Sequence, residues 1–220
     1  MCGRFVTVIP ADELKEIFDL IERPQLEPRY NVAPTQNVGV IRNIGDYNQL
    51  DHLKWGLVPS WSKDLSKGSH MINARSEFIA EKPAFRHAIK YKRCIVPVNG
   101  FYEWSHIGKE KHPHFIHMAD KSLMALAGIW EHWKSPEGTE LETFSILTTA
   151  ANSLVAKLHD RMPVILPPDT YGLWLNHNMH DAHSLEGLYS PFPEEKLTYY
   201  KVPDLVNNPK FDSPACIIQV

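Results

Sequence analysis

Short apolar runs, separated by Pro, Gly and Asn, dominate the chain after Pro28. They occur at 37–41, 49–58, 94–98, 114–118, 123–130, 144–149, 163–166 and 197–202. Short runs bounded by turn residues are typical of β-strands, and many strands with few helices are typical of an antiparallel architecture. The pattern predicts an α+β fold, mainly an antiparallel β-sheet or open barrel with a few peripheral helices.

One segment near the start of the chain has helical periodicity instead. Its apolar residues recur at helical spacing within 12–22: Leu14, Ile17, Phe18 and Ile21. Asp12 precedes them as a candidate N-cap, so this segment is the clearest helix that the sequence predicts. Shorter helical patches are expected near 76–90, 152–158 and 168–176.

Length and charge limit the range of functions. The 220 residues suit a single domain spanning 1–220, and 43% hydrophobic with 22% charged residues is an ordinary globular composition. A formal net charge of −3 argues against a generally basic nucleic-acid binder. Any contact with DNA must therefore use a local basic patch.

The cysteines and the N-terminus indicate a compartment. The chain has three cysteines, Cys2, Cys94 and Cys216. An odd number of widely spaced cysteines predicts free thiols in a reducing environment. We find neither a basic-then-apolar signal pattern at the N-terminus nor an apolar run long enough to span a bilayer. We therefore expect a cytoplasmic protein that does not interact with membranes.

Six separated blocks mix polar or charged residues into apolar surroundings. They are MCGRF (1–5), RYNVAPTQ (29–36), WGLVPSW (55–61), MINARSE (71–77), NGFYEW (99–104) and LHDRMPVIL (158–166). Secondary-structure propensity does not explain this mixture, whereas convergence on one pocket would. The blocks are therefore predicted to line a common site.

Motifs within these blocks carry a resemblance to a known family. The chain resembles the SOS-response-associated peptidase (SRAP) family, also called abasic-site processing proteins. The motifs that carry the resemblance are, in order, MCGRF, RYNVAP, INAR, GFYEW and HDRMPV. Each motif alone is weak, but the ordered set is specific, and it covers Cys2 to about Leu166. The resemblance implies capture of abasic sites in single-stranded DNA through a thiazolidine on Cys2, and the family name records a proposed autopeptidase that exposes Cys2.

The resemblance also implies roles for particular residues. It makes Cys2 the nucleophile, with Asn73 and Glu103 in the pocket and His159 beside them. The predicted DNA-binding residues are Arg4, Arg75, Arg86, Arg161, Trp61 and Trp104. The resemblance places Arg4, Arg75 and Arg161 on phosphates, which guanidinium groups bind bidentately, and the tryptophans could stack on flanking bases. Trp55 is expected to pack in the core.

The chemistry of these residues supports the same reaction. An abasic deoxyribose opens to an aldehyde, and Cys2 carries both an amine and a thiol once Met1 is removed, so an imine can close intramolecularly to a five-membered ring. Aromatic neighbours can raise the pKa of Glu103, which suits a general acid–base. His159 could protonate the sugar ring oxygen, and Asn73 could orient a sugar hydroxyl or the Cys2 amine.

Other interpretations of these residues stay open. Cys2 could be a small buried residue, Glu103 a strand-end surface residue, His159 a helix-terminus residue and Asn73 a turn residue. The protein could be an N-terminal-nucleophile cysteine peptidase or amidohydrolase, in which Cys2 attacks a carbonyl and its own amine acts as base. It could also be a noncatalytic single-strand binder. A reaction with aldehyde-bearing DNA would distinguish abasic-site capture from the hydrolase and from the noncatalytic binder.

Two histidine clusters raise the question of a metal site. They are His112, His114 and His117, and His177, His180 and His183. On a strand, His112 and His114 share a face whereas His117 points away. Since no HExxH motif or Cys/His set accompanies either cluster, we interpret both as solvated surface and expect neither a metal nor another cofactor.

Overall fold

Strands make up most of the regular structure in the computed structural model, which describes residues 2–108 and 110–220. In chain order the strands of these residues are β1 (Phe5–Thr7), β2 (Arg29–Val32), β3 (Asn37–Ile44), β4 (Tyr47–Trp55), β5 (Asn73–Arg75), β6 (Arg93–Val98), β7 (Gly100–Ile107), β8 (Glu110–Met118), β9 (Met124–Lys134), β10 (Glu140–Ala150), β11 (Arg161–Pro163), β12 (Ile165–Leu166) and β13 (Leu197–Lys201). Nearly all their pairings are antiparallel, which confirms the predicted fold class.

Five of these strands form a closed ring. β3 pairs with β4 and β6, β6 with β9, and β9 with β10, all antiparallel. β10 then pairs with β4 in parallel, which closes a barrel. The short strands β5 and β11 attach to β10, and β12 attaches to β9. Closure leaves these barrel strands few unpaired backbone groups.

Alternate side chains of the barrel strands belong to two different cores. Val96 and Ile146 pack in one cluster, together with Cys2. Their neighbours Ile95 and Leu147 pack in the other, with the helices. This alternation is what a barrel requires when one face is internal and the other is covered.

In the part of the chain that the structure describes, three short α-helices pack against the barrel: α1 (Ala11–Phe18), α2 (Ala88–Tyr91) and α3 (Tyr171–Leu175). Trp174 of α3 is fully buried and donates its indole N–H to the carbonyl of Cys94, 2.8 Å away. Among the described helices, none has the length and apolarity needed to cross a lipid bilayer.

A second sheet has the strand order β13–β8–β7–β1–β2 and is antiparallel throughout. Only Asn99 separates β6 of the barrel from β7 of this sheet. The Asn99 side chain accepts the backbone N–H of Val8 at 2.6 Å and so ties the segment after β1 to this crossing point. Phe5 and Phe101 join the barrel core, so the two sheets share one apolar interior.

The first helix is shorter than its apolar pattern predicts. It ends at Phe18 because Asp19 adopts a left-handed conformation (φ 48°) and donates its backbone N–H to Lys15, and it follows Pro10 rather than an Asp12 cap. Leu14 and Phe18 are buried as expected, but Ile17 and Ile21 are 40% and 55% exposed.

Every predicted strand run overlaps a strand of the structure, and the run 163–166 divides between β11 and β12. The structure adds four strands that the apolar pattern did not indicate: β1, β2, β5 and β7. These four carry MCGRF, RYNVAP, INAR and GFYEW.

A close backbone approach positions the segment that leads to β5. Gly56 has a φ of 123°, and a side chain on it would lie 2.5 Å from the carbonyl oxygen of Gly68. The next residue, Leu57, donates its N–H to Met71 at 3.1 Å. Gly56 therefore lets the 68–72 segment dock beside the end of β4, which brings Asn73 into place.

We predict that Gly56→Ala destabilises the protein by about 2 kcal/mol or more, since it adds both backbone strain and a backbone clash. Gly172→Ala is the matched control, because Gly172 lies in α3 with nothing within 4 Å of an added methyl group. It should be neutral or stabilise by up to about 1 kcal/mol. Chemical denaturation of both variants tests this, and equal stabilities would contradict it.

Candidate functional site

Cys2 lies just before β1 and is fully buried. Its carbonyl accepts a hydrogen bond from Asn73 Nδ2 at 2.8 Å, which connects the start of the chain to β5. Trp55 reinforces this connection, as its indole N–H donates to the carbonyl of Ile72 at 2.9 Å and its ring lies 4.8 Å from that of Phe5. Trp55 itself is fully buried, which confirms its predicted place in the core.

Glu103 lies on β7, beside the start of β1. The register pairs Phe5 with Phe101, so Glu103 aligns with the residues around Cys2. Its side chain is only 3% exposed. Burial raises the pKa of the Glu103 carboxyl, and burial together with the charge of Glu103 raises the pKa of the Cys2 thiol. Both groups therefore favour their protonated forms.

His159 occupies the rim of this centre, on the loop before β11. Its side chain is 33% exposed, and its positive charge acts to lower the pKa of Glu103. Nδ1 lies 2.9 Å from the backbone N–H of Arg161 and 2.8 Å from Asp160 Oδ1. One nitrogen cannot serve both at once: in the neutral ring it accepts from Arg161 and the proton is on Nε2, whereas in the charged ring it donates to Asp160.

Asn73 has a polar atom directed into the same region. Its Oδ1 is buried, and no donor among the described residues lies within hydrogen-bond distance. Buried amide oxygens in proteins are normally satisfied. This oxygen is therefore available to accept a hydrogen bond from an amine or hydroxyl at Cys2.

Arg161 and Arg4 both make contacts within the protein. Arg161 forms a two-pronged ion pair with Glu77, 2.8 Å from one carboxylate oxygen, and donates to the carbonyl of Thr148 at 2.7 Å. Arg4 donates to Asn31 Oδ1 and to the carbonyl of Val206, each at 2.8 Å. Their binding to phosphates stays a prediction. It requires each guanidinium group to contact a phosphate and its protein partners at the same time.

Arg75 and Arg86 differ from that pair because both are exposed, and neither has an ion-pair partner among the described residues. Arg75 lies two residues after Asn73 on β5. Arg86 lies shortly before α2 and follows Lys82, whose carbonyl accepts the Arg86 N–H at 2.9 Å. Both remain candidate phosphate ligands.

The two predicted stacking residues are placed differently. Trp61 is 60% exposed, with the Lys67 ammonium 5.6 Å from its ring centre. Trp104 follows Glu103 on β7, so its ring lies on the opposite face of the strand. There it donates its indole N–H to Asn207 Oδ1 at 2.7 Å. A packing role for Trp104 follows from this placement, whereas Trp61 is free to stack.

The sequence blocks also contain a structural anchor that residue chemistry alone did not identify. Asn31 is fully buried and donates to the carbonyls of Asn208 and Phe211, at 3.1 and 2.6 Å. Asp212 accepts the backbone N–H of Tyr30 at 2.6 Å. RYNVAP thus fastens the C-terminal segment behind β1, and its only sequence signal was a polar residue inside an apolar run.

The histidine clusters do not converge with other ligands. Among the described residues no three His, Cys, Asp or Glu side chains are grouped as a metal site. β8 places His112 and His114 on one face and His117 on the other, as expected. Cys2, Cys94 and Cys216 are buried free thiols.

Comparison with known proteins gives consistent matches. The profile of the family described as SOS response associated peptidase (SRAP) matches residues 1–209, well past Leu166. Abasic site processing protein YoqW of Bacillus subtilis is 43% identical, with 99% of each chain covered. Abasic site processing protein HMCES of Xenopus tropicalis is 28% identical, covering 100% of this chain and 78% of that protein.

Solved structures agree with the sequence relatives. A crystal structure of a Bacteroides thetaiotaomicron protein superposes with a TM-score of 0.87 at 30% identity, and the match covers 100% of both chains. The family profile matches most of the chain, and the YoqW protein is similar over nearly its whole length, so both comparisons indicate the same family. The chain belongs to the SOS response associated peptidase (SRAP) family.

Proposed function

We propose that this protein captures abasic sites in single-stranded DNA by condensing the lesion's aldehyde with Cys2. The convergence of Cys2, Asn73 and Glu103 in one buried centre, with His159 at its rim, is the observation that carries the proposal. The names of the relatives, abasic site processing proteins, support the same substrate.

The reaction begins with the amine. After removal of Met1, the α-amine of Cys2 attacks the aldehyde carbon and the resulting carbinolamine loses water to give an imine. The Cys2 thiol then adds across the C=N bond: sulfur bonds to carbon, the thiol proton moves to nitrogen, and a thiazolidine closes. One water is lost overall. Ring closure is favoured because both nucleophiles belong to one residue.

Glu103 is suited to move the protons. A carboxyl whose pKa is raised by burial can donate a proton to the departing hydroxyl and then relay the thiol proton to the imine nitrogen. The thiol needs this help, because burial raises its own pKa. His159, with a proton on Nε2 when neutral, could protonate the ring oxygen of the closed sugar, and Asn73 Oδ1 could accept a hydrogen bond from the amine or a sugar hydroxyl.

The imine also provides a route to strand cleavage. An imine acidifies the adjacent carbon of the sugar, and loss of that proton expels the neighbouring 3′ phosphate, which is lyase chemistry. Rapid closure by the Cys2 thiol competes with this elimination. We therefore propose a stable cross-link as the main product and strand scission as a minor one.

A peptidase is the second candidate, favoured by the name of the family whose profile matches the chain. In that reaction the Cys2 sulfur attacks an amide carbon and the α-amine accepts its proton. A buried thiol with a raised pKa is a poor nucleophile towards an unactivated amide. Hydrolysis of general peptide substrates by the Met1-processed protein would favour this alternative.

The first test concerns the N-terminal amine. Cys2→Ser should form no stable adduct, yet borohydride should trap its imine, because the amine remains. An uncleavable N-terminal extension should abolish the adduct with the thiol intact, because an amide nitrogen does not condense with an aldehyde. Denaturing gels and mass spectrometry of the DNA adduct measure both. If the extended protein cross-links as well as the processed one, the amine has no role.

The second test uses Glu103→Gln and two readouts. Cross-linking should slow by about a hundredfold, the usual contribution of a general acid–base. The same variant should be more stable than wild type at neutral pH. The folded-state pKa of Glu103 is raised, so its contribution to stability is full below the ordinary glutamate pKa and is lost as pH rises through the folded value.

The difference in melting temperature between Glu103→Gln and wild type should therefore grow with pH and vanish in acid. Glu137→Gln, at an exposed turn residue, is the matched control and should change neither readout. A variant that cross-links at the wild-type rate, or melts lower than wild type at neutral pH, contradicts the proposed role of Glu103.

The third test separates the two arginines. Arg75→Ala should weaken binding to all single-stranded sequences and reduce its salt dependence, with stability unchanged, since Arg75 is exposed. Arg161→Ala should in addition lower stability by about 1 to 2 kcal/mol, because Glu77 and the Thr148 carbonyl lose their partner. Titrations at several salt concentrations and thermal melts measure both. Salt-independent binding would exclude a phosphate groove.

A further inference from the structure

A row of side chains continues from Glu103 across the second sheet. The register pairs Glu103 of β7 with His114 of β8, and His114 with Lys201 of β13. Directly paired residues point to the same face, so all three share the Glu103 face of the sheet. At a strand spacing of 4.7–4.9 Å, His114 lies about 5 Å and Lys201 about 10 Å from Glu103 along this row.

His114 of this row forms an aromatic pair with Tyr199. Tyr199 pairs with Ile116 and therefore shares the same face, and its ring meets that of His114 edge-on with centres 5.4 Å apart. Ile116, beside them on this face, is fully buried, whereas the two rings are partly exposed. An aromatic surface supported by core and open on one side is what base stacking requires.

On this face His114 is neutral and Lys201 is charged. Burial, aided by the charges of His112 and Lys201, lowers the pKa of His114, so its ring stays neutral near pH 7. Its Nδ1 lies 3.0 Å from the carbonyl of His112, which fixes the ring. Lys201 is exposed and has no ion-pair partner among the described residues. Its ammonium is therefore available to an anion.

We propose that Tyr199, with the His114 ring packed edge-on against it, stacks on the base next to the lesion and that Lys201 binds an adjacent phosphate of the same DNA strand. This contact rests on the proposed capture of abasic DNA. In the second sheet β8 and β13 lie on one side of β7 and β1 lies on the other, and Asn73 bonds to Cys2 just before β1. We infer from this order that the exposed cations Arg75 and Lys201 lie on opposite sides of Glu103. A strand carrying the lesion into that centre would meet a cation on each side of it.

The test measures noncovalent binding of single-stranded oligonucleotides whose abasic site is a tetrahydrofuran, which has no aldehyde. Lys201→Gln should weaken binding about fivefold at moderate salt and reduce the slope of log affinity against log salt by about 0.7, as one lost phosphate contact requires. Tyr199→Leu keeps the apolar packing but removes the ring, and should weaken binding about tenfold.

Lys196→Gln is the matched control. Lys196 is also exposed but lies just before the opposite end of β13, and it should bind as wild type does. Oligonucleotides truncated on the 5′ or the 3′ side of the lesion add a positional test. The truncation that removes the phosphate bound by Lys201 should abolish the effect of Lys201→Gln, and the truncation on the other side should leave that effect unchanged. Thermal melts confirm that each variant is folded.

The outcomes distinguish this contact from the capture reaction. If wild type cross-links an aldehyde-bearing abasic strand but Lys201→Gln and Tyr199→Leu bind like wild type, the contact is wrong and the capture reaction stands. If Lys196→Gln is as weak as Lys201→Gln, the effect is one of general charge and the contact is also wrong. If wild type neither binds nor cross-links these strands, both proposals fail.

Discussion

Strand β10 is the element on which both the barrel and the site depend. It pairs with β4 and β9, which closes the barrel, and also with β5 and β11. Those two short strands hold Asn73 and the residues that follow His159. Both edges of β10 are occupied, so moving it would break backbone hydrogen bonds on several strands at once. The site inherits the rigidity of the barrel.

The centre combines two acids that both hold their protons more tightly than usual. Water would stabilise the charged forms of Cys2 and Glu103, and burial removes that stabilisation. Neutral groups in a dry site can exchange protons with a bound substrate without first shedding a hydration shell. His159, at the rim of the centre, is partly exposed to solvent.

The sequence predicted the barrel strands well but not the strands that carry the site. Barrel strands such as β9 consist mainly of apolar residues, because both their faces are covered. β7 breaks any such pattern, since Glu103 occupies a buried position between Tyr102 and Trp104. β1 and β5 are three residues each, too short to show any period. The strands that carry the candidate site residues therefore lack the apolar pattern from which strands are predicted.

The motifs predicted which residues would lie together, but not how those residues would contact one another. The motif order indicated that Cys2 and Glu103 belong together, and their burial and electrostatic coupling are consistent with this. The pairing of Arg161 with Glu77, 84 residues apart in sequence, and the alignment of His114 with Glu103 depend on strand register. Register depends on which face of each strand is buried and on how consecutive strands are connected, and the motifs specify neither.

The burial of Cys2 has a consequence for chemical selectivity. Peroxides and alkylating agents react with accessible thiolates, and a buried thiol whose pKa is raised offers them almost none. Oxidants and alkylators are also agents that strip bases from DNA. Under the proposed function, a nucleophile protected from both would stay reduced under the conditions that create abasic sites, and it would react only with a carbonyl that the protein brings to it.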